Sequence, residues 1–198
     1  MYPEKNKINS VFFQSTDVVV LARLLLGKVL CTRMNGAISS GMIIETEAYN
    51  GVLDKASHSY GGRRTRRTEV MYRAGGVAYV YLCYGIHSLF NVIASGENDP
   101  KAILIRAITP VEGIPIMEKR RGMPVTSKSF TDGPGKVSLA LGINLHHNGI
   151  RLDGNSIWIE DRGLVVDENN LLITPRIGVD YAGEDAGLPY RFLLRQPS

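Results

Sequence analysis

The feature that most limits how this chain can fold is a pair of apolar, β-branched runs, residues 28–34 and 39–49, on either side of Asn35-Gly36. Asn-Gly supplies two adjacent residues tolerant of positive φ, which a tight hairpin turn requires if its twist is to match the flanking strands. An antiparallel sheet must be built on this hairpin, with alternate side chains on opposite faces. The pattern recurs at residues 77–83 and 88–94, which flank Tyr84-Gly85, and residues 102–108 read as another strand. Around these strands lie helical signals. Ser15-Thr16-Asp17 offers caps for a helix over 18–26 closed by Gly27, and residues 69–72 read as a helical turn. Residues 111–121 and 134–141 read as helices, the second with Asp132 as a plausible cap, and residues 190–195 as a last strand. The expected fold class is α+β: a single compact domain over residues 1–198, with a curved, mainly antiparallel β-sheet flanked by helices. Residues 1–11 are expected to be poorly ordered.

A chain of 198 residues can bury one substantial core and is short for two. A net charge of +4 fits a polyanionic partner without demonstrating one. The polar N-terminus has no secretory apolar segment, and no apolar run reaches the ~20 residues that span a bilayer. Cys31 and Cys83 lie in apolar runs without a CxxC pair, and read as free thiols of a reducing compartment. A soluble, cytoplasmic protein without membrane contact is expected, nucleoid-associated if bacterial.

Glu45, Glu47 and Tyr49 fall on one face of their strand. Two carboxylates at the end of an apolar strand are either a solvated edge or acids held near apolar walls, where a carboxyl can act as a general base or acid. Arg106 sits inside the apolar stretch 102–108, and a guanidinium there needs an acidic or phosphate partner. Tyr79 and Tyr81 share a face, while Tyr84 falls at a turn. There it either packs on a neighbouring loop or wedges between bases. Arg63, Arg64, Arg66 and Arg67 crowd around Thr65 next to two glycines. Such dense like charge is either a solvated loop or a seat for phosphates. Gly133-Pro134-Gly135-Lys136 lacks the longer Walker spacing, yet a helix start with Lys136 could hold one phosphate. The adjacent His146 and His147 lack the spacing of a helical metal site, and no metal is expected.

The order of these features resembles the alkyladenine (methylpurine, 3-methyladenine) DNA glycosylase family. The matching stretches are ETEAY (45–49), Asp54 and Ala56 before His58-Ser59, GGRRTRRTEVMY (61–72), YVYLCYG (79–85) and Asn91. LIRAITPVEG (104–113), DGPGKVSLALGIN (132–144) and PRIGVDYAGEDAGLPYRF (175–192) complete the set. The resemblance runs from about Phe12 to the end, and implies a monofunctional base-excision enzyme acting on double-stranded DNA that contains damaged purines. It further implies that Glu47 activates the attacking water, with Arg106 and the Ile177 carbonyl holding that water. Tyr49, His58 and Tyr81 would wall the base pocket, the His58 amide would read the base edge, and Asn91 would exclude the guanine 2-amino group. Tyr84 would enter the minor groove from a β-hairpin, with Met71 beside it. Arg63, Arg64, Thr65, Arg66, Arg67 and Lys136 would meet the DNA backbone. No lysine matches a Schiff-base nucleophile, no cofactor is implied, and a compact monomer is expected. Val52, in place of a proline, and a longer turn at Glu97-Asn98-Asp99-Pro100 depart from the family pattern. Two other readings remain open: a hydrolase or transferase acting on another nucleotide or RNA through Glu47 and Arg106, and a non-catalytic lesion-binding module.

Overall fold

The structure, a computed structural model, describes residues 6–195. Among them eight strands form one sheet: β1 Val29–Met34, β2 Ala37–Tyr49, β3 Val77–Cys83, β4 His87–Ala94, β5 Lys101–Glu112, β6 Ile157–Glu160, β7 Leu171–Thr174 and β8 Arg191–Leu194. The α-helices are α1 Val18–Leu24, α2 Ile114–Arg121 and α3 Pro134–Leu141, and shorter 3-10 turns, among them Glu69–Tyr72, lie between the elements. All strand pairings are antiparallel, in the order β3-β4-β5-β2-β1-β6, with β8 on β2 and β7 on β8. The fold class is the α+β arrangement that the hairpin signals predict. No helix among the described residues is long and apolar enough to cross a membrane.

Asn35 and Gly36 adopt φ of 51° and 79°, and Met34 pairs with Ala37 across them. Tyr84 and Gly85 repeat the device with φ of 51° and 74°, closing the β3–β4 hairpin. β2 organises the sheet. One edge runs along β5, while the other is shared by β1 at residues 37–42 and by β8 at residues 45–47. Register shifts at Ile43/Glu45 and Glu45/Thr46 interrupt the β2–β5 ladder, and such irregularities bend a strand.

The two faces of the sheet do different work. One face carries the main core, in which Ala48, Val80, Phe90, Val92 and Ile103 pack with α1, α2 and α3. The other carries a smaller cluster of Met71, Tyr72, Val77, Tyr79, Ile93 and Ala102, and the candidate site. Cross-strand partners place Tyr79, Asn91, Leu104, Glu47 and Arg191 in one row across β3, β4, β5, β2 and β8. Residues as far apart in the chain as Glu47 and Arg191 are thereby brought to one strip of the sheet.

Three local expectations change. β5 runs on through Glu112 because Pro110 and Glu112 still pair with Gly41 and Ser40, so the following helix begins at Ile114 rather than residue 111. Asp132 does not cap α3; Gly133 is the N-cap residue, and Asp132 instead accepts from Lys136 at 2.7 Å. Of residues 1–11, residues 1–5 lie outside the described residues. Lys7 forms a bridge with Glu160 and the buried Ile8 donates its N–H to the Ile159 carbonyl at 2.9 Å, so residues 6–11 belong to the packed domain.

Candidate active site

Behind Tyr49, Arg106 and Ile177, which line a cavity of about 450 Å³, lies the carboxylate of Glu47, with 0% of its surface exposed. A buried carboxylate is tolerable only if its oxygens are met by donors. The Ile177 backbone N–H donates to Oε1 at 2.8 Å, and the Tyr49 hydroxyl donates to Oε2 at 2.9 Å. The Arg106 Nη1 stands 3.3 Å from Oε2. Two oxygens offer about four lone-pair sites, so the carboxylate retains capacity to accept from one more donor. Burial, and then the charge of Glu47, push the Tyr49 hydroxyl well above its ordinary pKa, which keeps the phenol a donor.

Arg106 has the acidic partner that its apolar setting demands. Its Nε donates to Glu45 Oε1 at 2.9 Å, and the same oxygen accepts from Arg191 Nε at 2.6 Å. Glu45 and Glu47 are therefore not a solvated edge. They are two buried carboxylates matched by two guanidiniums.

Aromatic rings form the walls. The His58 and Tyr81 ring centroids lie 4.7 Å apart, edge to face, and Tyr79 and Tyr81 are 5.4 Å apart. His58 Nδ1 is 2.9 Å from the Tyr79 hydroxyl, while its Nε2 is 3.4 Å from Arg67 Nη2. A guanidinium only donates, so Nε2 accepts and Nδ1 carries the ring proton. Burial, helped by the charges of Arg67 and Arg63, lowers the His58 pKa to about 4, so the ring is neutral at physiological pH. Burial also raises the Tyr81 hydroxyl, and both tyrosines remain protonated. Asn91 is buried at the back, its amide N–H₂ donating to the carbonyls of Tyr79 and Leu89 at 3.1 and 3.4 Å. Only its amide oxygen is left to face the cavity.

The loop that carries Ile177 is fixed by Arg176. That guanidinium is wholly buried, donates to both Asp54 oxygens, to the Ala48 carbonyl at 2.9 Å and to the Asp185 carbonyl at 3.1 Å. It also stacks 4.9 Å from the Tyr49 ring centre. Arg176, Asp54, Arg191 and Tyr181 were not singled out as site residues in the sequence, and Tyr79 was noted only for sharing a face with Tyr81. Asp54 stood among the matching positions, but nothing in its surroundings marked a buried charge.

Above the cavity, Tyr84 projects from the hairpin tip with 91% of its surface exposed. Met71 lines the same cavity as Tyr84 but from within the packed domain. It is 2% exposed, packed in the small core with Tyr72 and Tyr79, and reaches the site only as part of the cavity wall. The exposed apolar neighbour of Tyr84 is Ile86, at 72%. The arginine loop is divided. Arg64 is engaged by Glu69 at 2.6 and 2.9 Å and by Asn98 at 3.1 Å, and lies over the Tyr72 ring. Arg67 covers the Tyr81 ring at 4.9 Å. Arg63 and Arg66 are exposed without a carboxylate partner among the described residues. Thr65 is exposed, and its backbone N–H donates to the buried Thr68 hydroxyl at 2.8 Å, shaping the loop. Lys136, paired with Asp132, stands at the start of α3 near the hairpin tip.

Known proteins resemble this chain over most of its length. Residues 11–198 match the family model described as Methylpurine-DNA glycosylase. A protein of Chlamydia felis (strain Fe/C-56), provisionally named 3-methyladenine DNA glycosylase, is 48% identical over 184 residues, covering 92% of this chain and 93% of that protein. Proteins of the same provisional name from Bacillus mycoides (strain KBAB4) and Clostridium perfringens (strain 13 / Type A) are 46% and 41% identical, each over 191 residues. The first covers 91% of this chain and 92% of its own length, the second 92% and 93%.

Proposed function

This chain belongs to the methylpurine-DNA glycosylase family, and from that premise we propose that it extrudes alkylated or deaminated purines from duplex DNA and hydrolyses their N-glycosidic bond. The observation that carries the reading is the fully buried Glu47 carboxylate, oriented by Tyr49, Ile177 and Arg106, which themselves line an aromatic cavity. Glu47 takes a proton from a water held between it and Arg106, with the Ile177 carbonyl as the third contact. That water attacks C1′ of the deoxyribose. The C1′–N9 bond breaks, its electron pair leaves with the base, and an abasic sugar remains.

A base inside the duplex is out of reach, so it must be flipped, which costs a few kcal/mol. Tyr84, with Ile86 beside it, fills the vacated stack from the minor groove. Tyr49, His58 and Tyr81 sandwich the extruded base, the His58 amide reads its edge, and Asn91 opposes the guanine 2-amino group. Alkylation at N3 or N7 makes a purine cationic, so it leaves neutral, and the faces of the tyrosines favour a cation. Hypoxanthine and ethenoadenine are neutral and need a proton on departure. Arg63, Arg66, Arg67 and Lys136 contact phosphates. The domain works as one unit without a Schiff-base intermediate, so the strand is left uncut.

Base release from duplex oligonucleotides carrying 3-methyladenine, 7-methylguanine, hypoxanthine or ethenoadenine tests the reading. Glu47→Gln is expected to bind such DNA but to release base at least ~10²-fold more slowly, the scale of a lost general base. Near-normal turnover in that variant would overturn the role of Glu47. Retention of lesion DNA by the unaltered chain with no base freed would favour a binding module.

A further inference from the structure

Glu45 and Arg191 stand behind the proposed water site, and nothing in the reaction as described requires them. On the reading that Glu47 and Arg106 hold the attacking water, we infer that Glu45 is a positioning residue that keeps Arg106 from collapsing onto Glu47. A guanidinium beside a buried carboxylate ordinarily closes on it as a forked pair with two short parallel hydrogen bonds. Here that does not happen. Arg106 turns its Nε to Glu45 at 2.9 Å, and its Nη1 stops 3.3 Å from Glu47. The competing carboxylate sits two residues earlier on the same face of β2, and is itself 5% exposed. Arg106 lies at the register shift where Glu45 pairs with Ala107 and Thr46 with Ile105, so β5 has one residue more than β2 at this point. The irregularity leaves Arg106 without a cross-strand partner.

Arg191 completes the device. It donates to the same Glu45 oxygen as Arg106, at 2.6 Å, and its Nη1 reaches the Thr174 hydroxyl at 3.3 Å. Glu45 is thereby pinned from the β8 side while it holds Arg106 from the β5 side. Two carboxylates and two guanidiniums balance in charge, which lets four ionised groups share a nearly dry site. Without Glu45, the anion left beside Arg106 among the described residues would be Glu47. The forked pair would then occupy the lone pairs that must accept the proton of water.

Single-turnover release of hypoxanthine and 3-methyladenine, measured beside lesion-DNA affinity, tests this. Glu45→Gln is expected to slow release at least tenfold while the Kd for lesion DNA stays within about twofold. Because Glu45 acts through Arg106, Glu45→Gln combined with Arg106→Gln should be no slower than Arg106→Gln alone, whereas independent sites multiply their effects. Glu45→Gln/Arg191→Gln removes one charge of each sign and guards against a folding defect; it should lose rate as Glu45→Gln does. A release rate within threefold of the unaltered chain in either folded Glu45 variant would overturn the inference, as would multiplicative losses with Arg106→Gln. If Glu47→Gln also kept normal release, the proposed reaction itself would fail, which is a different outcome.

Discussion

His58 has two partners that fix its ring, Tyr79 at Nδ1 and Arg67 at Nε2, and burial with the nearby charges of Arg67 and Arg63 holds its pKa near 4. The folded value lies below the 6.5 of a free imidazole, so the unfolded chain binds more protons between pH 6.5 and 4. Stability from the neutral ring is therefore full above pH 6.5, falls as pH drops through that window, and is gone below about 4. At ~1.4 kcal/mol per pKa unit, the loss between pH 7 and 5 is up to about 2 kcal/mol, or roughly 4–8 °C in Tm for a chain of this size. Thermal melts of the protein and of His58→Gln at pH 7 and pH 5 check it. The variant should lose less Tm on acidification, and an equal fall in both would assign the acid sensitivity to other groups.

The arginine loop and the hairpin tip are the elements proposed to meet DNA, yet their residues are unlike. Each phosphate neutralised contributes ~0.9 to the slope of log K against log salt. Arg63→Gln/Arg66→Gln/Arg67→Gln is expected to flatten that slope by roughly 2–3, whereas Arg64→Gln should leave it unchanged, because Arg64 is already committed to Glu69 and Asn98. Anisotropy titrations between about 50 and 200 mM salt distinguish the two, the range over which phosphate contacts dominate. An unaltered slope in the triple variant would put the DNA footprint elsewhere. The hairpins, the acidic strand β2 and the start of α3 were legible in the sequence, because turn chemistry and period-two alternation are local signals. Arg106 needing an acid was legible too, since an arginine in an apolar strand is a local contradiction. What escaped was set by distant contacts. Met71 and Ile86 are both apolar residues near aromatic motifs, and only packing separates the buried one from the exposed one. Arg64 reads like its three neighbours until Glu69 folds against it. The β5 extension was hidden because residues 109–112 lack a strand's apolar run and are held by pairing with β2.

At the scale of the whole molecule, the chain from β7 to β8 passes over the end of β2, and the Arg176–Asp54 pair locks it to the loop after that strand. Both side chains are essentially dry, at 0% and 1% exposure. The clamp also fixes the backbone of the next residue, Ile177, whose N–H orients Glu47. Stability and the orientation of Glu47 thus share one contact. Removing one member of a buried pair leaves the other charge without compensation, at a cost of about 3–5 kcal/mol, while replacing both by apolar groups of similar volume is often close to neutral. Arg176→Met should therefore lower Tm by roughly 10 °C, on the conversion for a chain of this length. The double replacement Arg176→Met/Asp54→Leu should recover much of that loss, although the Asp54 carboxylate also accepts the N–H groups of Asn50 and Ala56, which keeps the recovery partial. Base release should not recover with it, because neither variant retains the guanidinium that anchors the Ile177 loop to the Ala48 carbonyl. Calorimetry of the three proteins, set beside single-turnover release, measures both halves. If release returned together with stability in the double variant, the clamp would serve the fold alone, and the orientation of Glu47 would come from Tyr49 and Arg106 without it.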